Sequence, residues 1–232
     1  MNKNSKLAKT LGWLITILIP LIVLMISIRL LITPVFALVE YRMPGFPEDP
    51  FSFTLQDRLR WSRPSINYLV NEEGIDFLES LQFDSGEPIF NPLELSHMED
   101  VKNVVTGMRI ALALSMLFLL GLSFGLMKAG GQEELFHAFQ RGGWWGIGLI
   151  AAILIFVAVS FSHLFTWFHL IFFENGTWRF YTSDTLIRLF PIRFWQDAFI
   201  IVGVISLILY GAIIILSRNA VSRIRNGPSG EI

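Results

Sequence analysis

The chain has 232 residues, 53% hydrophobic and only 16% charged, with a mean hydropathy of +0.56; that balance excludes an ordinary water-soluble domain and argues for an integral membrane protein. It contains no cysteine, which rules out a disulfide framework, a thiol nucleophile, a thiolate metal site and a lipidated cysteine of its own. The net charge of −1 hides an uneven distribution, with acidic residues between Glu40 and Asp100 and Lys and Arg at both ends and around Lys128 and Arg141. No basic face interleaves with exposed aromatics, so no nucleic acid is expected as a partner.

Lys3, Lys6 and Lys9 precede an apolar run from Leu11 to Ile28, long enough to cross a hydrocarbon core of about 30 Å. A cleaved signal peptide ending at Val35-Phe36-Ala37 is the rival reading, but the run is too long and Pro34 sits beside the cut. The expectation is an uncleaved first membrane helix within residues 1–39, mildly kinked at Pro20. Arg29, near its far end, either snorkels to the headgroups or contacts a lipid phosphate or carbonyl. Residues 40–95 read as a small polar domain opened by the turn-rich MPGFPEDP. Thr54 followed by Asp57 predicts a helix start, and Leu55, Leu59 and Ile66 or Leu69 give it a modest apolar stripe interrupted by Pro64. GIDFLESLQF and GEPIF read as a helix edge and short strands. The domain is too small to bury a large core alone.

Residues 96–126 read as one helix that begins in water and ends across a bilayer. Ser96 and Glu99 have the spacing of a capping box, and Glu99 and Asp100 lie where the helix dipole favours carboxylates. Val101, Val104, Val105 and Met108 recur at helical spacing before an almost purely apolar run to Leu126. Residues 127–143 form a loop, and Trp144 and Trp145 sit where an interfacial aromatic belt would open a third helix, 144–173. Residues 174–197 are dense in aromatics and Arg, and Asn175-Gly176-Thr177 matches a glycosylation sequon. The fourth helix, 198–216, ends in a basic tail, 217–232, read as disordered. The fold class is therefore an α-helical polytopic membrane protein, with four transmembrane helices and a small extracytoplasmic mixed α/β cap. Basic excess places both termini and the 127–143 loop in the cytoplasm, with 40–95 and 174–197 outside.

The four histidines are His97, His137, His163 and His169. His137 falls in the basic loop. At about 1.5 Å per residue, His169 lies about 37 Å along its helix from Trp144, and His97 about 6 Å above Val101. The two imidazoles are thus expected at similar height, on neighbouring helices. His163 points about 120° away from His169. Such a pair is either two hydrogen-bonded interfacial residues or an acid–base site. There is no H-E-x-x-H, no G-x-S-x-G and no Gly-rich phosphate loop. A zinc site would need three or four ligands, for which His97, His169 and Glu99 or Glu174 are the candidates. Ser96, Ser160 and Ser162 are nucleophiles only in principle.

ELSHMEDVKNVV and the later FHLIFFENGTWRF...LIRLFPIRFWQD resemble the two signature blocks of a bacterial family of four-helix integral membrane proteins that includes the lipoprotein intramolecular transacylase. The similarity runs from DRLRWS through the fourth helix, while YRMPGFPEDPFSF departs from the family pattern. The resemblance implies an acyltransferase acting at the outer leaflet, with a diacylglyceryl-modified lipoprotein and membrane lipids as partners. Such an enzyme moves the sn-2 acyl chain to the amino group of the N-terminal Cys, giving the lyso-form. Family motif histidines fall on His97 and His169, which are thereby implied as catalytic. Arg29, Trp178, Arg179, Arg188 and Arg193 are the candidates for holding substrate carbonyls or lipid phosphates. Aminolysis of an ester needs a neutral amine, proton transfer and a stabilised oxyanion. With both reacting groups on one substrate, orientation can supply much of the rate, and no cofactor or metal is expected. The alternatives are a non-catalytic membrane protein that binds a lipid or protein partner through its outer domain, and a zinc-dependent membrane hydrolase.

Overall fold

The computed structural model of the chain describes residues 3–174 and 176–226. Asn175 of the sequon and the last tail residues, 227–232, lie outside them. Among the described residues eight helices follow in order: α1 (Lys3–Leu31), α2 (Pro34–Glu40), α3 (Leu55–Tyr68), α4 (Asp76–Glu79), α5 (Pro92–Lys128), α6 (Gln132–Phe172), α7 (Thr185–Leu189) and α8 (Ile192–Asn226). Four of them, α1, α5, α6 and α8, are long and apolar enough to cross a membrane, and the protein is a multi-pass membrane protein.

The strands expected in residues 40–95 are absent. Among the described residues the only β pairing is an isolated bridge between Gln82 and Pro88, closing a turn in which Phe83 N–H donates to Glu87 O at 2.8 Å. Pro88 has no N–H to extend a ladder, and Gly86, at a φ of 87°, bends the chain back too soon for a strand. The cap is therefore helical, not α/β. Three further boundaries differ. α6 starts at Gln132, which shortens the loop after α5 to three residues, 129–131. α8 continues helically to Asn226, into the tail read as disordered. α3 runs through Pro64, which the apolar pattern treated as an interruption.

The chain divides into two compact units. The first comprises Met1–Ile28, Ile110–Ile155 and Val202–Ile232. Its core is Ile15, Ile19, Val23, Leu122, Leu126, Leu135, Ala138, Ile150 and Tyr210. Glycines on α6 bring backbones together there: a Cβ at Gly142 would lie 2.7 Å from Ile19 Cβ, and one at Gly143 2.6 Å from Ile214. A Cβ at Gly146 would collide with the Tyr210 ring. Such small-residue contacts are how membrane helices gain close packing without a hydrophobic drive. Polar side chains add hydrogen bonds across the helices: Tyr210 Oη donates to Pro20 O at 2.8 Å, and Ser206 Oγ to Ser27 Oγ at 2.9 Å.

The second unit comprises Arg29–Arg109 and Phe156–Ile201. As the Thr54/Asp57 spacing predicts, α3 opens with a full capping box. One cluster joins Trp61, Tyr68, Leu78, Ile89, Phe90, Met98, Leu186 and Leu189, and a second joins Ala37, Tyr41, Ile66 and Phe194. Arg188 pairs with Asp49 at 3.0 Å and lies 3.3 Å above the Phe53 ring. That fastens the turn-rich segment after α2 to α7. Burial opposes the Asp49 charge, but the Arg188 pair and the Phe53 N–H outweigh it and hold the carboxyl below its ordinary range.

Candidate functional site

α5 begins one turn before Ser96. Asn91 Oδ1 accepts the Glu94 N–H at 3.0 Å, and Glu94 Oε2 accepts the Asn91 N–H at 2.8 Å. This is a reciprocal cap with Pro92 at the first helical position. It replaces the Ser96–Glu99 box expected from spacing, because Asn91 and Glu94 satisfy the first-turn donors and leave Ser96 inside the helix, exposed. Glu94 is itself buried, and its Oε1 accepts the Leu186 N–H at 2.7 Å. One turn further on, His97 enters the interior of the second unit.

His169 comes from the last turn of α6. Both imidazoles are 8% exposed, their rings nearly parallel at 21° with centroids 6.1 Å apart. No hydrogen bond joins them. His169 Nδ1 lies 2.7 Å from Phe165 O, one turn back. A carbonyl oxygen only accepts, so Nδ1 carries the proton of a neutral His169 and Nε2 keeps a lone pair. His97 Nδ1 is buried with no hydrogen-bond partner among the described residues, and so is Trp178 Nε1.

Aromatic rings wall the pair. Phe173 and Phe180 lie 4.9 and 5.3 Å from His97, and Phe165 and Trp178 lie 4.1 and 4.7 Å from His169. The chain after α6 turns at Gly176, whose φ of 103° needs glycine, and so returns Trp178 and Phe180 to the histidines. Arg179, between them, packs over the Trp178 ring at 5.4 Å and is the one candidate arginine in contact with this aromatic wall.

The other candidates find different surroundings. Arg29 stands in the last turn of α1 with its guanidinium 3.5 Å from Ile32 O, a cation at a helix C-terminus. Arg188 is engaged by Asp49, and Arg193 by Asp197 one turn along α8. His137 pairs with Glu133 at 3.4 Å, and His163 with Ser160. Among the described residues no third His, Asp or Glu gathers with His97 and His169 to hold a metal ion. Spacing alone missed Glu94 and the phenylalanine cage, although the run Asn91-Pro92-Leu93-Glu94 carries the cap signature openly.

Two buried imidazoles held apart under aromatic cover, on helices long and apolar enough to cross a membrane, belong to a multi-pass membrane protein. The model of one family, described as lipoprotein intramolecular transacylase Lit, matches residues 13–195. The chain belongs to that family of acyltransferases. An uncharacterized protein of Aquifex aeolicus (strain VF5) is 26% identical over 214 residues, covering 90% of this chain and 93% of its own. The structure of membrane-integral Lit from Bacillus cereus is similar with a TM-score of 0.80 at 17% identity, covering 95% of this chain and 99% of that one. A variant of the same protein with one histidine replaced by arginine matches at 0.75 and 16% identity, covering 97% and 96%. Its alanine variant matches at 0.66 and 15%, covering 95% and 96%.

Proposed function

We propose that His97 and His169 carry the transacylation of a diacylglyceryl-modified lipoprotein, from the sn-2 ester to the amino group of its N-terminal Cys. The observation that carries this reading is the hydrogen bond from His169 Nδ1 to Phe165 O. It leaves Nε2 of a buried imidazole as an acceptor, with a second buried imidazole 6.1 Å away between ring centroids. His169 takes the proton as the amine attacks the ester carbonyl and the C–N bond forms. His97 donates an N–H hydrogen bond to the oxyanion without giving up its proton, and the proton held by His169 passes to the sn-2 oxygen as the C–O bond breaks. The net change moves one acyl group and returns both histidines to their starting protonation. The aromatic walls exclude water, which favours aminolysis over hydrolysis. Arg179, stacked on Trp178, reaches the substrate's headgroup side; Arg29, Arg188 and Arg193 serve the surrounding interface.

The basic residues Lys6, Lys9, Lys128, Arg141, Arg218, Arg223 and Arg225 support a topology with both termini in the cytoplasm, residues 40–95 and 174–197 outside, and the pocket at the outer leaflet. Mass spectrometry of lipoprotein N-terminal peptides from cells with and without this protein tests the reaction. The expected result is an N-acyl, S-monoacylglyceryl cysteine only where the protein is present; identical peptides from both would refute it.

A further inference from the structure

α6 is interrupted at Ser160, whose φ of −158° and ψ of 68° separate two helical segments. Val157, before the break, and Phe161 and His169, after it, are buried. Phe156, Ser160, His163 and Trp167, which flank the break, come together through their own contacts away from those buried residues. There, Ser160 Oγ and His163 Nδ1 are 2.6 Å apart in an exposed setting. The Phe156 and Trp167 rings meet with centroids 5.4 Å apart. A straight helix would set those two Cα atoms about 16 Å apart; the break at Ser160 lies between them and lets the two rings meet beside the polar pair.

This pair takes no part in the His97–His169 site, since His163 points about 120° away from His169. A polar nitrogen on a membrane-facing surface is costly unless it meets a partner. Trp167 is 55% exposed, and an exposed Trp on a membrane helix marks the headgroup level. His163 lies one turn inward, about 6 Å along the axis, where a glycerolipid carries its ester carbonyls.

We propose that the Phe156–Ser160–His163–Trp167 stripe binds the glyceryl-ester region of a bilayer phospholipid. The Ser160 hydroxyl donates to His163 Nδ1, Nε2–H donates to an ester carbonyl, and the two aromatic rings flank the upper acyl chain. The lipid is not the one reacting at the histidine pair. His163 is about 9 Å from His169 along the helix and points about 120° away from it.

The test is lipid retention by the purified full-length protein, read by native mass spectrometry after exchange into nanodiscs. One set contains ester-linked phosphatidylethanolamine, the other its ether-linked analogue, which lacks the carbonyls. The wild type is expected to hold the ester lipid about threefold to tenfold more tightly than the ether lipid, the range of one hydrogen bond in a membrane. His163→Leu should abolish the preference with helix content unchanged, and His163→Gln, which keeps an N–H donor, should retain it. Equal retention of both lipids by the wild type overturns the proposal. So does a preference that survives in His163→Leu. A wild-type dimer that becomes monomeric in His163→Leu also overturns it and assigns the stripe to a second copy of the chain.

Discussion

Glu94 accepts the backbone N–H of Leu186 at 2.7 Å while its second oxygen accepts that of Asn91. One buried carboxylate thus closes the start of α5 and fastens the first turn of α7 to it. Beside it, Thr185 Oγ donates to Ile89 O at 2.6 Å. His97 stands one helical turn from this joint.

Removing the carboxylate should therefore loosen the turn that sets His97. Glu94→Ala leaves the Leu186 N–H without its acceptor, at a cost of about 1–3 kcal/mol, and loses a cap worth about 1 kcal/mol. Glu94→Gln should cost less, since its amide oxygen keeps one of the two bonds. Thermal unfolding in detergent checks the order; a midpoint unmoved by Glu94→Ala would show that the joint is dispensable.

The histidine pair predicts non-additivity. A positioned acid or base contributes about 10² to 10⁴-fold, so His97→Ala and His169→Ala should each lower the rate by that order. The double variant should cost little more, because the two act as a unit. The measurement is N-acyl product from a synthetic diacylglyceryl peptide, with protein level and helix content matched. Near-normal rates from both folded single variants would remove the pair from the chemistry.

Glu40 predicts a pH dependence of stability. Its side chain is 1% exposed, and Oε1 has no partner among the described residues. Burial first, and then the neighbouring Asp197 carboxyl, push it from 4.5 up to about 7, against a smaller opposing pull from Arg193. The folded state therefore favours the protonated form. Its stabilisation is complete below about 4.5 and is lost as pH rises through about 7. The unfolding midpoint should fall across that window, and Glu40→Gln should flatten the fall. An equally steep slope in Glu40→Gln would assign it to another group.

Topology can be read by labelling, because the chain has no cysteine of its own. With Asp84→Cys, on the exposed turn after α4, an impermeant maleimide added to intact cells should modify the protein. Labelling confined to inverted vesicles would reverse the proposed orientation.

The spans were legible because about twenty apolar residues in a row have few alternatives to a membrane helix. The matching height of His97 and His169 was legible too, since rise per residue turns sequence distance into depth. The Thr54–Asp57 cap could be read because capping is local. Ser96–Glu99 has the same spacing, yet Asn91 and Glu94 won; a motif match cannot say which of two adjacent caps the tertiary contact with Leu186 rewards. The aromatic cage was hidden for a different reason. Phe173 and Phe180 reach His97 only through the turn at Gly176, and periodicity carries no information about where a chain reversal lands. The short strands failed because isolated apolar runs do not distinguish a pleat from a helix edge.

The glycines of α6 carry a consequence for traffic within the bilayer. Where Gly146 lies against the Tyr210 ring and Gly143 against Ile214, not even one methyl group fits. A fatty chain is wider than a methyl, so the seam between α6 and α8 at that level is shut to hydrocarbon. Any acyl tail that comes to or leaves the protein must travel around this zipper, never through it.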